Sequence, residues 1–140
     1  MPKQSIPALV LTFTASGAVA EKRAIGFNGA QATTQGQKVI GVSPRPADDG
    51  GLSDVDVAGT TVIETGGAFA VGASLIVDNQ GRAIASAGKL ALAAGATAVT
   101  SSAANGNTIF TGGDTPEFIF ADALELSSGA GKFVEVFLRR

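Results

Sequence analysis

Apolar and polar residues alternate along this chain in short runs, each closed within a few residues by glycine, asparagine, aspartate or proline. In Leu9–Ala15, the residues Leu9, Leu11, Phe13 and Ala15 face one way and Val10, Thr12 and Thr14 the other, the period-two pattern of a β-strand. Ser16-Gly17 turns the chain into a second predicted strand, Lys22–Phe27. Asn28-Gly29 is a hairpin signal, because both residues tolerate positive φ, and it predicts a further strand over Ala30–Thr34. Gln35-Gly36-Gln37 turns again, and Lys38–Ser43 is an apolar strand in which Gly41 marks a bulge or a close backbone approach. Pro44–Gly51 is a loop, since its prolines cannot donate to a ladder and Asp49-Gly50 turns the chain.

Asp54–Ala58 alternates cleanly, with Val55 and Val57 on one face and Asp54 and Asp56 on a wet one. Thr60–Glu64 continues it with β-branched residues, Gly59 permitting a kink. Within Gly66–Ser86, the runs Ser74–Asp78 and Arg82–Ser86 predict a hairpin reversed through Asp78, Asn79, Gln80 and Gly81. Ala87–Gly113 is rich in Ala, Gly, Ser and Thr and reads as loop with one or two short strands. Glu117–Leu126 is strand-like at Phe118-Ile119-Phe120, Ser127–Gly131 turns, and Lys132–Leu138 is the last strand. The sum is an all-β fold of about eight to twelve short strands with little helix. Residues 1–140 are expected to form a small single-domain β-barrel or β-sandwich, jelly rolls included.

Composition narrows what can fill such a fold. Aromatic residues are only 6%, all eight of them Phe, with no Trp, Tyr, His or Cys. Ala, Val, Ile and Leu must therefore build the interior. The net charge of −2 comes with basic residues scattered singly or in pairs, so the positive stripe that nucleic-acid binding requires is missing. No apolar segment approaches the roughly 20 residues of a membrane-spanning helix. The N-terminal stretch imitates a secretory signal with an A-x-A site at Ala18-Val19-Ala20, but Thr12 and Thr14 at alternate positions fit a strand better.

The usual acid–base and nucleophilic sets cannot be assembled without His, Cys or Tyr. Asp48, Asp49, Asp54 and Asp56 are the densest acidic cluster; the spacing matches no calcium loop, and the plainer reading is a solvated loop and strand face. Ser86-Ala87-Gly88-Lys89 matches S-x-x-K, but the companion motifs are absent. Ser128-Gly129-Ala130-Gly131-Lys132 has a superficial phosphate-loop look, yet Leu126 and Phe133 occupy positions where the motif needs Gly and Ser or Thr. Glu117 with Asp122, or Glu125 with Glu135, are carboxylate pairs of the glycosidase kind without aromatic residues to line a sugar cleft.

Several strings in order carry a family likeness: Pro2-Lys3-Gln4 with IPALVLTFTASGAVA, RAIGFNGAQA, KVIGVSPR, DVDVAGTTVIETGGAFAVGASLIVDNQGRAIA, FADALE and GAGKFVEVFLRR. The arrangement Gly-Ala…Gly-Ala…Asp-x-x-Gly-Arg-Ala over Gly67–Ala83 is the most specific piece. In these the chain resembles the small capsid cement, or decoration, proteins of tailed bacteriophages. The resemblance implies a structural virion protein on the outer surface of the capsid, clamping neighbouring major capsid subunits as a β-rich homo-oligomer, a homotrimer rather than a dimer. It carries over no catalytic residues, and with the composition above no cofactor, metal, nucleic-acid partner or membrane is expected. Candidate capsid contacts are Pro2, Lys3, Gln4, Arg139 and Arg140; Asn28, Gly29, Asp78, Asn79 and Gly81 are structural turns. Residues 1–7 read equally as an extended arm over a neighbour or as a frayed terminus. The competing functions are a receptor- or glycan-binding virion protein and a carboxylate or metal-dependent hydrolase on the same scaffold.

Overall fold

The computed structural model of the chain describes residues 3–86, 100–102, 109–111 and 117–139. Among them are twelve strands and no helix: β1 Ile6–Thr14, β2 Arg23–Gly26, β3 Val39–Ser43, β4 Leu52–Glu64, β5 Ala68–Phe69, β6 Ser74–Val77, β7 Ala83–Ala85, β8 Thr100–Ser102, β9 Ile109–Thr111, β10 Ala121–Ala123, β11 Ser127–Ser128 and β12 Phe133–Leu138. The chain forms two compact units, Met1–Ser86 with Glu117–Arg140, and Ala87–Pro116. In the second unit β8 and β9 pair antiparallel. Most of the predicted loop over Ala87–Gly113 lies outside the described residues, as do Ala87, Gly88 and Lys89 of the S-x-x-K string.

The first unit is built on one antiparallel sheet in the order β2-β3-β4-β12-β10-β6-β7, with β1 added to β4. It curls until its ends nearly meet. Ala24 N donates to Gly81 O at 2.8 Å, and Arg23 reaches the Gln80 carbonyl with one guanidinium nitrogen and Glu64 with another. The fold is thus a nearly closed barrel. Its interior is filled by Val39, Val42, Ile63, Leu75, Val77, Val134, Val136 and Leu138, with Phe69 and Phe120 the aromatics. A second cluster of Ala15, Val19, Ile25, Val55 and Val57, backed by Phe13, lies apart from it.

The thirteen-residue β4 is the junction of this sheet. Gly59 pairs with both Pro7 of β1 and Leu138 of β12, and Thr60 with both Ile6 and Phe137. A strand has only two edges, so β1 and β12 flank β4 on opposite sides. Gly59 has φ +94, and a Cβ there would stand 2.5 Å from Ala8 N and Ile6 O, so only glycine fits. The kink changes the strand's facing. Before it, Asp56 lies opposite Val42, a main-core residue; after it, Thr61 and Ile63 lie opposite Val136 and Val134, also of that core. An even position faces inward on one side of Gly59 and odd positions on the other.

This corrects the wet face predicted for Asp56, which is buried. The alternation of Asp54–Ala58 is real and Asp54 stays partly in water beside Arg45, but at Asp56 both faces are covered, one by the main core and one by the second cluster that takes Val55 and Val57. Two predicted strands also differ. Ala30–Thr34 makes only a single bridge, Ile25 to Gln31, because the amides of Thr33 and Thr34 donate to the Gln37 side chain rather than to a ladder. Phe118-Ile119-Phe120 precedes its strand, which is β10, although Phe118 N and Phe120 N are bonded to Gly36 O and Leu75 O. Gly41 is a close backbone approach: a Cβ there would run into the Asp56 carbonyl.

Candidate interaction surface

Three of the four aspartates singled out in the sequence, Asp49, Asp54 and Asp56, are each engaged with a partner of their own. Asp49 accepts from Gly17 N, Asp54 from Arg45, and Asp56 from the Thr61 hydroxyl. No three His, Cys, Asp or Glu residues gather into a metal-holding group among the described residues. Glu125 accepts from the Glu135 amide, Asp122 pairs with Arg139, and Glu117 accepts from Ser86 Oγ. The phosphate-loop look-alike turns its amides inward: Gly131 N donates to Thr65 O and Lys132 N to Thr65 Oγ1. Ser127 Oγ lies within bonding distance of Thr65 Oγ1, Gly67 O and Gly129 O, so the buried Ser127 and Thr65 fasten an otherwise exposed turn.

The turn residues do structural work. Asp78 is buried and organises its hairpin: one carboxylate oxygen accepts from Gln80 N and Arg82 N, each at 2.8 Å, and the other from the Arg82 guanidinium at 2.7–2.8 Å. Gly81, φ +74, completes the reversal after Asn79, and Gly66 packs so closely that a Cβ would lie 2.5 Å from Asp78 Oδ2. The Gly…Asp-x-x-Gly-Arg-Ala string is therefore one side-chain cap with its clearance and its counter-charge. At the other turn Asn28 Oδ1 accepts from Ala30 N, and Gly29, φ +78, fits against the Thr14 carbonyl of β1.

The two chain ends meet on β12. Gln4 N donates to the buried carboxylate of Glu135 at 3.4 Å. Lys3 lines an open cleft of about 400 Å³ with Lys132, Phe133, Leu126 and Val71. Arg139 follows directly after β12. Its amide donates to Phe120 O and its guanidinium to Asp122, whose hydrogen bond and charge raise the arginine above its usual pKa. Pro2 and Arg140 lie outside the described residues.

Large apolar side chains face outward around these ends. Directly paired residues share a face, so Ile6, Thr60, Phe137 and Asp122 form one row across four strands. Ile6 is 61% exposed and Phe137 49%. Phe133, Phe118, Leu126 and Val71 are also exposed, as are Leu9, Val10 and Leu11 of β1. Phe27 is exposed too, with the Lys38 ammonium 5.8 Å from its ring. A chain with few aromatics has placed Phe27, Phe118, Phe133 and Phe137 at its surface and, among the described residues, Phe69 and Phe120 alone in the main core. Sequence reasoning missed this display, since nothing local distinguishes a core phenylalanine from an exposed one.

The family model described as "Phage cement protein" matches residues 3–112. The chain belongs to the phage cement protein family. It is a structural protein of the phage virion. No curated protein matches it in sequence. In fold it is similar to the N base of the head fiber gp8.5 of bacteriophage phi29, with a TM-score of 0.50, 18% identity, and coverage of 94% of this chain and 95% of that one. At that identity the likeness is one of architecture.

Proposed function

We propose that this phage cement protein binds the outer surface of the head and stabilises the shell by bridging neighbouring major capsid subunits. The observation that carries the reading is the outward display of Phe133, Phe137, Leu126 and Val71 around the joined chain ends. Exposed aromatic and aliphatic groups of this kind, rimmed by charge, are the usual core of a protein–protein contact. Lys3, Gln4 and Arg139 are the proposed polar rim, and Pro2 and Arg140, next to them in sequence, are proposed to join the contact. Arg139 already holds Asp122, so a capsid carboxylate must compete for it.

The pressure of packaged DNA acts on every capsomer seam, and one small domain contributes only a modest area against it. An oligomer that seats several copies at once multiplies weak contacts into a durable grip, because after the first copy binds the others meet high effective concentrations. Self-association therefore belongs to the proposal, with a homotrimer favoured over a dimer. Cryo-imaging of heads with and without added protein tests the reading. Ordered density across capsomer seams is expected, and heads that show no ordered density at saturating protein would overturn it.

A further inference from the structure

The open cleft beside β12 carries charge and apolar surface side by side. Its apolar lining stands in water: Val71 is 63%, Leu126 66% and Phe133 39% exposed. Lys3 and Lys132 line the same cleft. At about 400 Å³ it has room for a ligand-sized group.

These two lysines depart from how the chain treats its other cations. Among the described residues Arg23, Arg45, Arg82 and Arg139 are each paired with a carboxylate, and the Lys38 ammonium lies over the Phe27 ring. Neither Lys3 nor Lys132 forms an ion pair among those residues. The one acid in the lining, Glu125, is turned to the backbone, where its carboxylate accepts from the Glu135 amide at 2.9 Å. Glu135 is itself buried, and Gln4 N, next to Lys3, donates to its carboxylate at 3.4 Å. That bond lays the segment before β1 onto β12 and brings Lys3 to the cleft. Two cations against one engaged carboxylate leave the cleft with a positive excess.

Both halves of the lining constrain the occupant. A cation would meet Lys3 and Lys132 as like charges. A wholly apolar group would desolvate two ammonium groups and give them no partner, which is unfavourable. A small free anion would leave Val71, Leu126 and Phe133 in water. A carboxylate with an aliphatic or aromatic side chain beside it satisfies both halves, and a protein surface presents that combination on neighbouring residues.

We propose that this cleft is the socket for a segment of the major capsid subunit that carries a carboxylate next to an apolar side chain, with Lys3 and Lys132 meeting the carboxylate. The inference rests on the cement reading above and names the partner's chemistry at that contact. Arg139, already held by Asp122, is then a weaker determinant than either lysine.

The test is charge reversal in the cleft, read as affinity for heads stripped of the protein. Lys3 and Lys132 are exposed, so the fold should survive, which circular dichroism and an unchanged thermal midpoint would verify. Lys132→Glu and Lys3→Glu are each expected to weaken binding about tenfold or more, whereas Lys132→Arg, which keeps the charge, and Lys38→Glu, which makes the same charge change outside the cleft, stay within about threefold. The loss should shrink as salt rises. Heads whose carboxylates have been converted to amides with carbodiimide and methylamine should bind the unchanged protein less well and discriminate less against Lys132→Glu. Equal losses from Lys132→Glu and Lys38→Glu would report only the field of the whole surface and overturn the socket. Full decoration by Lys132→Glu, or full binding of the unchanged protein to amidated heads, overturns it too. So does a Lys132→Glu protein that loses its oligomeric mass in light scattering, which would give the cleft to a second copy. Failure of the cement reading itself would show differently, as bare heads with the unchanged protein.

Discussion

The Thr61 hydroxyl donates to the buried carboxylate of Asp56 at 2.7 Å, across a sequence separation of five within a single strand. In a regular strand two such residues point to opposite faces and stand about 16 Å apart. They meet because Gly59 bends β4 and resets its alternation between them. The bond fastens the kink from inside the barrel, and the kink is what lets β4 hold β1 on one edge and β3 with β12 on the other.

Thr61→Val should therefore be costly although the volume hardly changes. It removes the hydroxyl donor from a carboxylate that has only 2% exposure, a loss of about 1–3 kcal/mol. Chemical denaturation measures it. Thr61→Ser, which keeps the hydroxyl, should recover most of that loss.

Gly59→Ala tests the kink directly. The left-handed backbone alone costs a non-glycine residue on the order of 1–3 kcal/mol. The added Cβ would also press on the backbone of Ala8 and Ile6. Hydrogen exchange should show β1 loosening from β4 before the rest of the barrel opens, and uniform loosening would refute the local account.

Asp78→Ala should destabilise more than Asp78→Asn. The asparagine keeps a carbonyl oxygen for the amides of Gln80 and Arg82 but loses the charge that holds the Arg82 guanidinium. Removing the whole cap should cost roughly 3 kcal/mol and leave Arg82 without its partner. Paired unfolding curves of the two variants decide the order.

Asp122→Asn should leave the thermal midpoint close to unchanged, because the pair with Arg139 lies at the surface. It frees a guanidinium that is proposed to face the shell, so head occupancy should rise, most clearly at low salt. The raised arginine pKa contributes stability that is fully present below the group's ordinary value and is lost only as pH climbs through the raised one, far into the alkaline range. This pair should therefore add no pH dependence anywhere in the neutral range.

The class of fold, most strand positions and the turns are legible in the order of residues alone. Period-two patterning, Asn28-Gly29 and Asp78 to Gly81 are local signals, and local sterics act on them before any long-range contact forms. The ordered strings shared with the cement family were equally readable without coordinates. Which face is inside depends instead on how the strands assemble. Alternation says that two faces differ, but strand order assigns each to a core, to a second cluster or to water. So Asp56 went inside, Phe133 and Phe137 outside, and β1, as apolar as any strand here, became an edge: each outcome was set by which distant strand arrived beside it.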